Sequence, residues 1–338
     1  MKSSDPVASD ISDNQSTKRG FFRLPQTFSS LDNSGFRYLW FGQFFSASAM
    51  HADMVARGIL VWQLTGSSTA VGGVLGARAV PMLIIGLFGG VAADRFNRKN
   101  LLIIIQFWAL FMHAIMAILL FTDLIQLWHV FAIAIGLGIS TALNQPVRTT
   151  VIPELVKKDQ LTNALMLNSI AINSTRLIGP ALIAMIIATA GIGSAYLWSS
   201  VAYLLVILST TRLSIPSNAR SVVQSNPISQ LLEGFKFILG NRAILILVGI
   251  GLGPLAIGFA YQSLLPQLVS ELGHDTTMIG YIMSVGAIGG LAGGLTIASK
   301  RSIETKGKIL IISGATYALA LMGFTGVSAL GSILLVFP

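Results

Sequence analysis

Runs of about twenty apolar residues recur along the chain, broken by short polar turns. By position they predict spans at about 38–64, 69–92, 100–121, 127–147, 162–188, 193–212, 243–269, 276–298 and 308–328, with a further run opening near Gly331. A helix needs roughly 20 apolar residues to cross a hydrocarbon layer of about 30 Å. Membrane strands would alternate over about ten residues, so the pattern predicts helices. Before the first run, residues 1–35 are rich in Ser, Asp and Asn and poor in apolar residues, which predicts a disordered tail. Between the sixth and seventh runs, 214–241 carries Pro216, Pro227 and several serines before the amphipathic stretch 228–239. The chain thus divides into a tail (1–35), a six-helix bundle (36–213), a linker (214–241) and a partial second bundle (242–338).

Composition places these runs in a membrane. The 338 residues are 53% hydrophobic and 10% charged, against about 25% charged in soluble domains. Mean hydropathy is +0.75. The net charge of +9 suggests nucleic acid at first sight, but the bases are scattered over short turns. Of the 22 Lys and Arg, 19 fall in the tail, in the 6–7 segment, or near the turns after spans two, four and eight. The alternate turns at 65–68, 122–126, 190–194 and 270–277 hold none. Such alternation satisfies the positive-inside rule, predicts a cytoplasmic N-terminus and leaves no nucleic-acid surface. Helix 1 serves as the insertion signal, because residues 1–35 contain no apolar core for a cleavable one. With no cysteine, there is no disulfide or thiolate–metal chemistry. Nor does a His-rich metal cluster, nucleophile elbow or phosphate loop occur, so an enzyme is not expected and no cofactor is called for.

The densest charge lies between spans two and three, where Gly90, Asp94, Arg95, Arg98 and Lys99 fall within ten residues. This G-x-x-x-D-R-x-x-R-K pattern resembles the cytoplasmic 2–3 loop of major facilitator superfamily transporters. Asn97 stands where the family has glycine, and Asn tolerates the same left-handed turn. Further stretches are similar to the enterobactin-exporter-like and macrolide-efflux-type branch. These are 36–43, Trp62–Ser67, Arg148–Val156, 163–169 and Arg176–Pro180. The resemblance implies an all-α membrane protein of major facilitator fold, with the 2–3 loop gating the inner mouth. It makes Arg148 the helix-4 base that exchanges charge with the Asp94 loop. It makes Gly179–Pro180 the core of the antiporter motif on helix 5, although the glycine pair that follows in the family is replaced by Ala181–Ala184. Twelve spans belong to that fold and the sequence holds nine and the start of a tenth, so a fragment is expected.

Charge inside the spans is costly, about 2.5–3.5 kcal/mol per group on insertion scales, so it faces a cavity or a partner. Asp53 and Arg57 lie four apart on helix 1 with the acid first, the favourable order for an ion pair. Asp53 is a candidate proton-coupling carboxylate or cargo contact, or half of a structural pair. His51, Arg78 on helix 2 and Arg176 on helix 5 are the other candidates; either arginine can bind an anionic substrate or Asp53. Asn144, Gln145, Asn168 and Asn173 are suited to line the cavity or to bond helices together. The expected protein is a monomeric, multi-pass exporter of the bacterial inner membrane. Its partners are the lipid bilayer and a small organic molecule, siderophore-like or drug-like, moved by alternating access on the proton gradient. An importer of the same fold, or a truncated non-transporting membrane protein, are the alternatives.

Overall fold

The computed structural model describes residues 26–214, 236–242, 244–246, 249, 261–274, 278–283, 285–286, 288–289 and 306–325. Six long helices come first: α1 (Ser34–Thr65), α2 (Ser68–Arg95), α3 (Arg98–Phe121), α4 (Leu127–Leu155), α5 (Leu161–Ala190) and α6 (Ile192–Thr211). They are followed by α7 (Tyr261–Glu271) and α8 (Lys306–Thr325). Residues 215–235 of the linker stretch, and most of the charged turn after span eight, lie outside the described residues.

Local chemistry sets the helix ends. The Asn33 side chain caps α1 by accepting from the Phe36 N–H, and Ser67 caps α2 by accepting from Ala70. Between them Gly66 closes α1 in the left-handed region (φ 59°), its N–H bonded to the Trp62 carbonyl. Asn97 does not use left-handed backbone, contrary to the sequence expectation: at φ −61° and ψ 114° it is the N-cap of α3, accepting from Asn100. A capping side chain, not a flexible backbone, is what that position supplies. The α4 helix runs to Leu155, past the apolar span that ends at 147 and through Pro146 and Pro153. Val151, Ile152 and Leu155 are buried against Phe36 and Leu39 of α1, and this packing carries the helix beyond the residue where propensity would stop it.

The expected tail is also shorter than 1–35. Residues Gln26–Asp32 form a 3-10 turn, docked on the start of α5. The Ser30 hydroxyl donates to Asn163 Oδ1 at 2.8 Å and to the Gln160 carbonyl at 3.2 Å. A buried polar side chain with satisfied partners holds a segment whose composition alone reads as disordered.

The outside of the bundle is apolar. Leu83, Ile104, Phe107, Phe111, Ile118, Leu204 and Leu208 are all exposed. In water this would be a liability; in lipid it is the expected surface. Among the described residues, five helices, α2 to α6, contain segments long and apolar enough to cross a membrane. Inside, α1 packs between α5 and α6, α2 runs along α4, and α3 lies against α4 and α6. Two cores result. One surrounds Phe36, Leu102, Val151 and Leu167, at the end where Arg95, Arg98, Lys99, Lys157 and Lys158 also lie; we call it the basic end. The other surrounds Ala52, Ile59, Val130 and Tyr196, toward the opposite end formed by the turn at Gly66 and the turn at Gly191.

Close approach of α2 and α4 depends on Gly138. A Cβ there would collide with the Arg78 carbonyl oxygen and meet Pro81 Cγ at 3.2 Å. Small residues at such crossings let backbones touch where lipid gives no hydrophobic drive. The second part of the chain meets the first toward the end opposite the basic one. Leu265 and Val269 of α7, with Ile279 and Ile282, join the same core as α1 and α2, and the Ser68 hydroxyl bonds to Gln267 Oε1.

Gly138→Val should destabilise the protein by about 1–3 kcal/mol, the usual cost of overpacking. Gly76→Ala, with open space around it, should be neutral or stabilising. Thermal melts of purified protein check both; an unchanged melt for Gly138→Val would remove the crossing from its place in the fold.

A buried charge cluster between α1, α2 and α4

One face of α1 carries Gln43, Ser46, Asp53 and Arg57, and another carries His51, all buried. Asp53 and Arg57 are one helical turn apart, so their side chains meet: Arg57 Nη2 donates to Asp53 Oδ2 at 2.7 Å. The α2 helix brings a third member. Arg78 Nη1 donates to the same oxygen, Asp53 Oδ2, and its Nη2 donates to Thr141 Oγ1 on α4 at 3.1 Å. Thr141 in turn donates to the Leu137 carbonyl at 2.8 Å. One carboxylate therefore serves two guanidiniums and ties three helices together. The side chains are 1% exposed for Asp53 and 3% for Arg57, but 16% for Arg78. Asp53 Oδ1 and Arg57 Nε and Nη1 are buried without hydrogen-bond partners.

Aromatic and polar groups from α3 and α6 surround this triad. The His113 ring stacks on Tyr203 with centroids 5.2 Å apart, and lies 6.3 Å from that of Tyr196. Its Nδ1 pairs with the Ala109 carbonyl at 2.7 Å, while His113 Nε2 and the Tyr196 hydroxyl are buried and unpartnered. Tyr196 and Tyr203 are seven residues apart, two turns on one face of α6, and that spacing was the sequence signal that could have identified them.

The remaining candidates are dispersed. His51 is buried beside Gly179, whose ideal Cβ would lie 3.4 Å from the His51 Cβ. Arg176 is exposed, away from Asp53, and acts electrostatically on His51. Pro180 is buried in α5, and its carbonyl would be 2.8 Å from a Cβ at Gly280, so the Gly179–Pro180 step lies where the second part of the chain packs. Asn144 reaches Ser46 at 3.5 Å, whereas Gln145 and Asn173 are exposed and Asn168 is half-buried.

At the basic end, Gly90 and Asp94 fall within α2, with their surroundings outside the described residues. Arg95 is exposed. Arg98 Nη1 bonds to Glu154 of α4, a partner the sequence reading did not single out. Lys99 Nζ donates to the carbonyls of Thr211 and Leu213, at 2.7 Å each, and so closes the end of α6 with a cation. Arg148 is fully buried under Gly42, with Nη2 3.4 Å from the Leu39 carbonyl and Nε and Nη1 unpartnered. A side chain at position 42 would displace it, since an ideal Cβ would sit 2.7 Å from its Nη2.

Removing one partner from a buried ion pair strands the other, which costs about 3–5 kcal/mol. Asp53→Asn should therefore lower the melting temperature sharply, and Asp53→Asn/Arg57→Leu should recover the part of the loss owed to Arg57, which is the more deeply buried of the two arginines. Thermal denaturation of the purified variants decides this; a double variant as unstable as the single one would mean the triad is not held by charge.

Comparison with known proteins agrees with this architecture. Residues 25–337 match the family model described as transmembrane secretion effector. Among characterised relatives, the Staphyloferrin A transporter of Staphylococcus aureus (strain NCTC 8325 / PS 47) is 27% identical over 253 residues. That match covers 73% of this chain and 62% of the relative. The Enterobactin exporter EntS of Escherichia coli O1:K1 / APEC is 26% identical over 313 residues, covering 89% of this chain and 72% of the relative. The chain thus spans about two thirds of the length of these proteins. Among solved structures, a bacterial homologue of the human lysosomal transporter Spinster, inward-facing and unoccupied, superposes with a TM-score of 0.65. It is 14% identical, over 93% of this chain and 72% of that one. The D-xylose-proton symporter superposes with a TM-score of 0.59 at 15% identity, over 92% and 78%. The chain is an all-α, multi-pass membrane protein of the major facilitator fold, and it belongs to the transmembrane secretion effector family of that superfamily.

Proposed function

We propose that this protein exports a small organic molecule, siderophore-like or drug-like, across the bacterial inner membrane by alternating access. The observation that carries this reading is the Asp53–Arg57–Arg78 triad. It is a set of buried charges at the centre of a lipid-facing bundle, a place where ionisable groups persist only beside a pathway or a partner. Membership of a secretion family and two relatives whose names refer to siderophores support the direction and the cargo class. The basic end faces the cytoplasm in this reading, because bases are retained on that side during insertion. The described contacts between the two parts of the chain then close the outer side, through Ser68–Gln267 and the Leu265 cluster. The proton gradient supplies the energy, by antiport, and the protein works as a monomer.

Strains with and without the gene, grown under iron limitation, should differ in one secreted compound that is retained inside the cells lacking it. Inverted membrane vesicles should accumulate that compound and lose the accumulation on adding a protonophore. Equal secretion and retention in the two strains would overturn the export reading. Accumulation insensitive to the protonophore would overturn the coupling to protons.

A further inference from the structure

We propose that Arg78 is the contact for an acidic group of the cargo, and that Asp53 stands in for that group while the site is empty. The inference deepens the export reading by naming the charge class of what is carried, and rests on it for the word cargo.

Charge balance comes first. In the sequence, Asp53 is the only acid within an expected span, and at the centre of the bundle it stands against two guanidiniums, Arg57 and Arg78. Among the described residues, the centre of the bundle therefore carries an excess of positive charge. A cationic molecule entering it meets like charge in a medium of low dielectric; an anionic one supplies the counter-ion that the described residues lack.

Geometry then selects Arg78. It is the one member of the triad with appreciable exposure, 16% against 1% and 3% for its partners. Its Nη2 bond to Thr141 fixes the plane of the guanidinium, leaving Nη1, the nitrogen that Asp53 occupies, as the group to be exchanged. The exchange leaves nothing stranded. Asp53 Oδ1 and Arg57 Nε and Nη1 are without partners while Arg78 is bound. When an acidic group takes Arg78, Asp53 and Arg57 can close into a two-bond carboxylate–guanidinium pair, the stronger form of that contact. The orphaned atoms of the empty site are the ones that the occupied site would use.

The test uses the full chain in lipid nanodiscs and two probes of one shape: benzene-1,3,5-tricarboxylate and its neutral trimethyl ester. Thermal unfolding is followed against probe concentration. The tricarboxylate should raise the midpoint of the parent protein and the ester should not. Arg78→Gln should abolish the response, and Arg78→Lys, which keeps the charge but loses the planar fork, should weaken it about tenfold, equivalent to about 1.4 kcal/mol. Asp53→Asn removes the internal competitor and should tighten tricarboxylate binding. Should that variant fail to fold, Asp53→Asn/Arg57→Leu offers the same unoccupied Arg78 without stranding Arg57, and should bind equally tightly. Equal responses to acid and ester, an undiminished response in Arg78→Gln, no response to the tricarboxylate in any form, or weaker binding in both Asp53 variants would each overturn the proposal. Arg78-dependent binding in a protein whose reconstituted vesicles move no compound would instead overturn the export reading and leave the anion site standing.

Discussion

A single carboxylate oxygen, Asp53 Oδ2, accepts from two guanidiniums in the middle of a bundle whose outer surface is hydrocarbon-facing. Much of the surrounding architecture follows from keeping that arrangement solvable. Three formal charges can stay buried only if each has a partner within bonding distance, because the penalty for taking ions out of water is repaid by close, well-aligned contacts. The α1 helix must be central to carry both Asp53 and Arg57 inward, and it is, packed against α2, α4, α5 and α6. The α2 helix must come near enough for Arg78 to reach across, and Gly138 on α4 provides the space. Thr141, one turn further along α4, then fixes the third helix to the same guanidinium.

A second set of constraints operates at the basic end and is of a different kind. There the cations lie near water and act on helix ends. Lys99 closes α6 by taking the carbonyl of its last residue, Thr211, and that of Leu213 just beyond it, and Arg98 joins the start of α3 to the last turn of α4 through Glu154. These are contacts between the first residues of one helix and the last residues of another, so they hold the order of the bundle without occupying its interior. Arg148 belongs to neither set. It is buried without an acid among its bonded partners and is accommodated by the missing side chain of Gly42.

The span pattern was legible in the sequence because it needs only hydropathy and length, and the six helices of the first bundle begin within a few residues of the apolar runs. The boundaries moved where tertiary contacts outweigh local preference. Packing of Ile152 and Leu155 extends α4 through two prolines, and the Ser30–Asn163 bond orders a segment that composition assigns to the tail. Within the cluster, the Asp53–Arg57 contact follows from a spacing of four on one helix. Arg78 is 25 residues from Asp53, and its reach depends on the rotation and depth of α2, which no local pattern encodes. That is why the sequence left Arg78 and Arg176 as equal candidates for Asp53, whereas the fold gives Asp53 to Arg78 and leaves Arg176 exposed. Asn97 is a case of right tolerance and wrong use: the residue is suited to a left-handed turn, but the chain employs its side chain as a cap.

The triad also bears on how transport energy can be coupled. Let Asp53 be the group that takes the proton. Protonation would remove its charge from both arginines and release Arg78, so an anionic cargo would bind better with the proton than without it. Two ligands that favour each other's binding travel together, since coupling between sites is reciprocal. Antiport requires the opposite sign, with proton and cargo excluding one another. An antiporter built on this cluster therefore uses Asp53 as a fixed counter-ion that competes with the cargo, and takes its proton at some other group. The same competition gives the empty carrier a filled charge site. Under the proposed exchange, Arg78 would stay paired while the site reorients without cargo, and that step would avoid the several kcal/mol that a stranded buried charge costs.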